Sequence, residues 1–310
     1  IPASSTLERT GMAEAVLAAG GKVVDIDRAE ERVEIDLPGS DILARLTVPR
    51  KAREADCLIN FTKLKTHRVA NSLTCAVKNW VGFLDQKVRL ENHQTRLPKL
   101  VAELHRALPA DLHLADALIV GEGDGPDFCQ PRFLGLLLGA NDPVALDSIA
   151  AELLSVPKGD LLFSWTAFYE GIGQIQRNRI RLVGPDIQDL AIRIEKPVAA
   201  LNNRFPGRVV LGGVCDGCFA WFMGPAIAWE GNGTWDKIKA KGVKPTFMLG
   251  FNARDLNFEE HLQEGPYFVV GDCTPPAFQE DPRTVFISGC CPGPDIPGRI
   301  LETLEIKEEG

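Results

Sequence analysis

The chain has 310 residues, room for about two domains, and at 45% hydrophobic and 25% charged it can bury ordinary cores. A formal net charge of −8 and a pI of about 5.3 exclude general nucleic-acid or anionic-membrane binding, which needs a positive surface. No apolar run reaches the length of about 18 residues that reads as a membrane-spanning helix.

Residues 4–21 (SSTLERTGMAEAVLAAGG) predict a helix, with Ser5 and Glu8 as capping box and glycines 20–21 as stop. Short strands are expected at 22–27, 32–37 and 42–49. Residues 55–62 (ADCLINFT) form a continuous apolar run, the pattern of a buried parallel strand. A basic loop and a short helix follow, and apolar residues at helical spacing over 94–108 predict a longer one. Next come a strand from 111 ending in a glycine-rich acidic loop, a strand at 133–141, and a helix at 142–154 capped by Asp142 with Pro143 at its first position. Such alternation predicts an α/β domain with a largely parallel sheet over residues 1–183. Three prolines in 184–207 mark a linker, and 208–310 read as a smaller α/β domain carrying most of the cysteines.

Eight cysteines are present, five of them in the last third. A chain this long needs no disulfide staples, so clustered thiols point to metal or redox chemistry in a reducing compartment. Cys215 and Cys218 form a CxxC after the strand-like run 208–214. Cys273 follows YFVVGD, and Cys290 and Cys291 follow VFISG. All five therefore fall just past the carboxyl ends of predicted strands, the rim of a parallel sheet where ligands collect. Four thiolates suit a [4Fe–4S] cluster or a tetrahedral zinc ion. Only one CxxC knuckle is present, and Pro292 follows Cys291, which favours iron–sulfur over zinc. Which of the vicinal pair ligates stays open. A set of free thiols with a simple redox dithiol is the bland alternative.

A second constellation begins at KLKTH, where Lys63, Lys65 and His67 are expected in the loop after the 55–62 strand. Thr74 and Lys78 follow at i,i+4 spacing beside Asn79, and His93 lies in the next loop. The loop EGDGPD supplies Glu122, Asp124 and Asp127, and NDPVALD adds Asp142 and Asp147. Basic groups of this kind suit a small anionic substrate, with Lys65, His67, Lys78, His93 and Glu122 as candidate catalytic groups. Lys63, Asn79, Asp124 and Asp147 are candidate substrate contacts. Asp142 reads equally as a helix cap, and His105 and His113 as structural. No Walker A loop, GxGxxG fingerprint, GxSxG elbow or HExxH helix occurs.

Over residues 5–175 these motifs, in this order, resemble the domain-of-unknown-function family DUF362. Lys63, Lys65, His67, Thr74, Lys78, Asn79, Gly82, His93, Asp116, Glu122, Gly123, Gly125, Pro126, Asp142 and Asp147 stand where that family's pattern has them. The family is largely uncharacterised. Many members carry ferredoxin-like cysteine modules, so the resemblance implies an iron–sulfur association. This chain lacks the ferredoxin spacing and has the cysteine-bearing unit instead. The family's upstream Lys-Pro-Asn region is also missing, so part of the first sheet is expected to lie outside the chain.

The expectation is an iron–sulfur redox protein acting on or near a small anionic substrate, with an electron-transfer partner protein. The alternative is a zinc- or cluster-stabilised binding or metallocentre-maturation module without turnover. Whether the chain is an enzyme is left open. The absence of a signal-peptide pattern points to the cytoplasm, although the chain begins at Ile1, which leaves an exported form open.

Overall fold

A left-handed glycine splits the first helix in two: α1 (Ala3–Arg9) and α2 (Met12–Ala18) meet at Gly11, with φ of 71°. The computed structural model describes residues 3–26, 28–67, 72–92, 96–126, 128–197, 207–211, 216–250, 265–290, 292–293 and 295–306. Residues 22–26 are irregular rather than the expected strand. Among the described residues β1 (Arg32–Asp36) and β2 (Arg45–Pro49) pair only with each other, as an antiparallel ribbon, and α3 (Arg50–Glu54) follows. Alternation along β2 buries Leu46 and Val48, which join Trp80 and Leu100 in one core.

The first main sheet contains β3 (Ile59–His67) and β4 (Ser72–Thr74). After α4 (Ala76–Asn79), α5 (Gln86–Glu91) and α6 (Arg96–Ala107), the chain returns as β5 (Leu112–Asp124) and β6 (Phe128–Ala140). Strand order is β4-β3-β5-β6. The α/β class holds, but this sheet is mixed rather than largely parallel. Only β3 and β5, joined through helices, run parallel; β4 and β6 return after short connections and so pair antiparallel. β3 is also not buried on both faces. Its even positions from Asn60 to Leu64 are buried and its odd ones from Ile59 to Lys63 exposed. α7 (Pro143–Leu153) packs on the covered face of β5 and β6, where Ala115, Ala117 and Val120 meet Leu146 and Ala150. The opposite face leaves Phe61 60% and Phe133 77% exposed. α8 (Leu162–Tyr169) and α9 (Ile187–Leu190) complete this part.

The second sheet is parallel throughout. β7 (Arg208–Leu211) leads to α10 (Asp216–Gly231) and α11 (Thr234–Ala240), then β8 (Thr246–Leu249). β9 (Tyr267–Val270), α12 (Pro276–Gln279), β10 (Thr284–Ile287) and α13 (Asp295–Thr303) follow. The strands lie in chain order, and Leu211, Leu249, Val270 and Ile287 are level with one another at the carboxyl end. The central strands β8 and β9 are buried at every position, as helices on both faces require. Phe222, Trp229, Trp235, Phe247 and Phe268 fill a separate core. Phe247 stacks on Phe268 at 5.4 Å between ring centres, and each buried ring stabilises the fold by about 2–3 kcal/mol. Among the described residues no helix is long and apolar enough to cross a membrane.

Candidate functional site

Lys63, Lys65 and His67 lie on β3 itself, not on a loop beyond it, because β4 pairs back onto Lys65–His67. Side chains alternate along a strand, so all three point to one face. The Thr62–Leu64–Thr66 alternation with the lysines was the sequence signal for this. Lys65 stands opposite Thr74, and directly opposed residues share a face. The Thr74 hydroxyl is buried and has no hydrogen-bond partner among the described residues. His67, also buried, is opposite Ser72. On the other side Lys65 meets Gly121, where a Cβ would come within 2.7 Å of the Cys129 Sγ and 3.0 Å of the Lys65 Cβ. A bare glycine therefore lets Cys129, which the sequence reading left unassigned, pack beside Lys65.

Lys63 is committed elsewhere. Its Nζ donates to Asp116 Oδ2 at 2.8 Å. Burial works against the Asp116 carboxylate, but the Lys63 hydrogen bond, the Leu118 amide and the lysine charge hold its carboxyl below the usual range.

Asp147 lies under α4 and holds its first turn. Oδ1 accepts from the Ala76 amide at 2.7 Å, and Oδ2 accepts from the Val77 amide at 3.3 Å and the Ser164 hydroxyl at 2.7 Å. Burial pushes this carboxyl up to about 6, against the pull of Ser164, Cys75 and the two amides. Burial, then the Asp147 charge, pushes the neighbouring Cys75 thiol well up; the Ala76 amide and the Lys65 charge oppose this. Asn79 Nδ2 donates to Asn60 Oδ1 at 2.7 Å, and Asn60 Nδ2 donates to the Ala76 carbonyl at 2.9 Å. Asn79 thus ties α4 to β3. Lys78 Nζ sits 5.6 Å from the centre of the Phe163 ring.

The two structural histidines behave as expected. His105 Nε2 meets the Val77 carbonyl at 3.0 Å, and its ring stacks on Trp80 at 4.8 Å. Burial lowers its pKa to about 4, despite that carbonyl. His113 Nδ1 meets Asn60 Nδ2 at 3.0 Å and is likewise lowered, first by burial. Asp142 is a helix cap: its Oδ1 accepts from the Val144 and Ala145 amides, both at 2.9 Å.

Glu122 is on β5 and faces the chain at 195. Its Oε2 accepts from the Glu195 amide at 3.2 Å, its Oε1 is 3.6 Å from Arg132 Nη1, and the Gly123 amide donates to the Glu195 carbonyl at 2.8 Å. Asp124 ends β5 opposite Phe128, but its side chain, together with His93 and Asp127, lies outside the described residues. The structure therefore gathers Lys65, His67 and Thr74 on one face, while Lys63, Asn79, Asp147 and Glu122 each serve a local contact.

The cysteines follow the second sheet. Cys218 is buried in the first turn of α10, Cys273 lies just beyond β9, and Cys290 is exposed just beyond β10. Level strand ends place these segments along one rim. Two thiols converge there: a Cβ on Gly271 would lie 3.3 Å from Cys218 Sγ and 3.7 Å from Cys273 Sγ. Gly271 has φ of 95°, which suits glycine. The Gly289 amide donates to Asp272 Oδ1 at 2.6 Å, and the Asp272 amide donates to the Gly289 carbonyl at 3.2 Å, fastening the loop before Cys273 to the one before Cys290. Cys215 and Cys291 lie outside the described residues. Among the described residues no group of three or more His, Cys, Asp or Glu side chains is placed to hold a metal ion.

Comparison with known proteins bears on the first half of the chain. It is similar to the thylakoid-associated protein sll1697 of Synechocystis sp., at 30% identity over 141 residues, which is 44% of this chain. The chain covers 44% of that relative's length. No solved structure matches. The match of residues 1–152 to the family model described as Domain of unknown function (DUF362) agrees with the motif order on β3, α4, β5 and α7, and this stretch of the chain belongs to that family.

Proposed function

We propose that the chain is an iron–sulfur redox protein that acts on or near a small anionic substrate held at the Lys65–Thr74 face. The observation that carries this reading is the approach of the Cys218 and Cys273 thiols to Gly271, at the carboxyl rim of a parallel sheet. A glycine there leaves space beside two sulfurs that a bulky group would occupy. Cys218 and Cys273 would ligate, with Cys215 and one of Cys290 and Cys291 completing four thiolates. A [4Fe–4S] cluster would supply one-electron transfer. Burial of Cys218 would shield it, and exposure of Cys290 would leave the rim open to an electron-transfer partner protein.

At the first sheet, Lys65 would supply positive charge and the Thr74 hydroxyl, without a partner among the described residues, a hydrogen bond to an anionic group. His67, on the same face, would be the proton-transfer group.

The test is anaerobic purification with iron, zinc and acid-labile sulfide measured per chain, for the wild type and for Cys218→Ser and Cys273→Ser. About four irons and four sulfides in the wild type, reduced in both variants, is the expected result. About one zinc without sulfide would replace the redox reading with a metal-stabilised binding module. No bound metal, or full metal content in both variants, refutes the shared site.

A further inference from the structure

A cleft of about 490 Å³ opens beside the free edge of the first sheet, between β6, α7 and residues 174–190. Of the residues in the two constellations above it shares Asp142 alone. Its floor is apolar: Ile149, Leu153 and Ile187 form a small buried cluster, with Leu136, Leu138 and Leu190 packed against it. Two exposed arginines, Arg179 and Arg181, line the same cleft. Neither guanidinium has an ion pair or hydrogen bond among the described residues, whereas the neighbouring Arg177 is paired with Glu152 at 3.1 Å. The carboxylate in the lining, Asp142, already accepts from two α7 amides.

We propose that this cleft binds an amphipathic carboxylate, an alkyl chain of moderate length ending in one carboxylate. The volume lies within the range of about 300–1,000 Å³ typical of small-molecule sites, which combine an apolar lining with few polar groups. The leucine and isoleucine floor takes the chain out of water. The planar guanidinium fork matches a carboxylate through two parallel hydrogen bonds, and two such forks without protein partners make an anionic head the complementary one. An uncharged alcohol of the same length would fill the floor and leave both arginines to water, without a charge-assisted partner. A short carboxylate would do the reverse.

The probe is decanoate, titrated by calorimetry into the full chain below its micelle concentration, with decanol and acetate alongside. Saturable decanoate binding is expected, at least roughly tenfold tighter than either control, since a charge-assisted pair and the burial of a chain each contribute on that scale. The surface variant Arg179→Glu/Arg181→Glu should lose at least about tenfold in decanoate affinity and leave decanol binding unchanged. Leu182→Glu, which adds a charge to the apolar wall at a position 38% exposed, should weaken both. Circular dichroism melts confirm that the variants are folded. No saturable decanoate binding, equal affinity for decanol, equal affinity for acetate, or decanoate binding indifferent to the arginine reversal each overturns the assignment.

Discussion

Asp147→Asn should change how stability depends on pH, in a way set by two buried groups that oppose one another. The Asp147 carboxyl is raised from 3.8 to about 6, chiefly by burial. Between those values the folded state holds a proton that the unfolded chain has lost, so stability falls as pH rises from about 4 to 6. The size of the effect is about 3 kcal/mol. His105 is lowered from 6.5 to about 4, again chiefly by burial. Over nearly the same interval it is the unfolded chain that holds the extra proton, so this group's contribution rises with pH by about 3 kcal/mol. In the wild type the two nearly cancel between pH 4 and 6.5. Removing the titrating carboxyl while keeping its shape leaves His105 unopposed, with His113, also lowered by burial, acting in the same direction, so stability of the variant should climb by at least about 3 kcal/mol across this range. The assay is urea unfolding at each pH, followed by a hydrogen-exchange pulse at one common pH, with peptides covering 73–84 and 143–154 as reporters. These report on the first sheet and its helices alone, which matters because the core of the second sheet is separate from those around the first. A wild-type-minus-variant difference that is flat to within about 1 kcal/mol from pH 4 to 6 would refute the reasoning.

Three further outcomes follow from particular contacts. Gly271→Ala places a methyl 3.3 Å from Cys218 Sγ and forces a residue with a Cβ to φ of 95°. It should cost at least about 1–2 kcal/mol and speed iodoacetamide labelling of Cys218 and Cys273 in the metal-free protein; unchanged labelling would remove the glycine cradle. Gly125→Ala drives a Cβ into the backbone carbonyl of Thr66, which has little freedom because the Thr66 hydroxyl is bonded to Gly123. Urea unfolding should show a loss of about 2–3 kcal/mol. Lys63→Ala breaks an ion pair whose lysine is 47% exposed, so the loss should stay below about 1 kcal/mol at neutral pH. What little it contributes should fade as pH drops through the carboxyl range, because the Asp116 carboxyl is held low only in the fold.

Much of this was legible in the sequence because local rules carry it. The α7 helix announced itself through Asp142 and Pro143, and the structure gives Asp142 two amide bonds. His105 and His113 read as structural, and both are buried. Other features depend on contacts that local patterns do not encode. Strand direction in the first sheet turned on whether β4 and β6 return by hairpins or crossovers, and the sequence pattern offered a loop where β3 continues and β4 pairs back onto it. Gly11 broke a helix that hydrophobic spacing alone would have carried through. Asp147 looked like a substrate contact because a carboxylate in a basic neighbourhood suggests binding; its donors are the Ser164 hydroxyl and two amides of α4, the latter some 70 positions away in the chain.

The two sheets gather their chemistry by different means: in one, two distant thiols approach a single glycine, while in the other the polar candidates spread over several local contacts. In the parallel sheet every strand ends at the same rim, so thiols spaced 55 positions apart, Cys218 and Cys273, meet without any short motif joining them. In the mixed sheet, strands enter and leave at both ends, and groups at strand ends need not be neighbours. What counts there is parity and register: Lys65 and Thr74 share a face because they are directly opposed, while Asp147 is delivered from a helix beneath the sheet to hold α4. Motif order along such a chain predicts family well and geometry poorly. The Lys65–Thr74 pair is the part of that motif set whose geometry still leaves a buried hydroxyl without a partner among the described residues, and it is therefore the part where a ligand would lower the free energy of the folded chain.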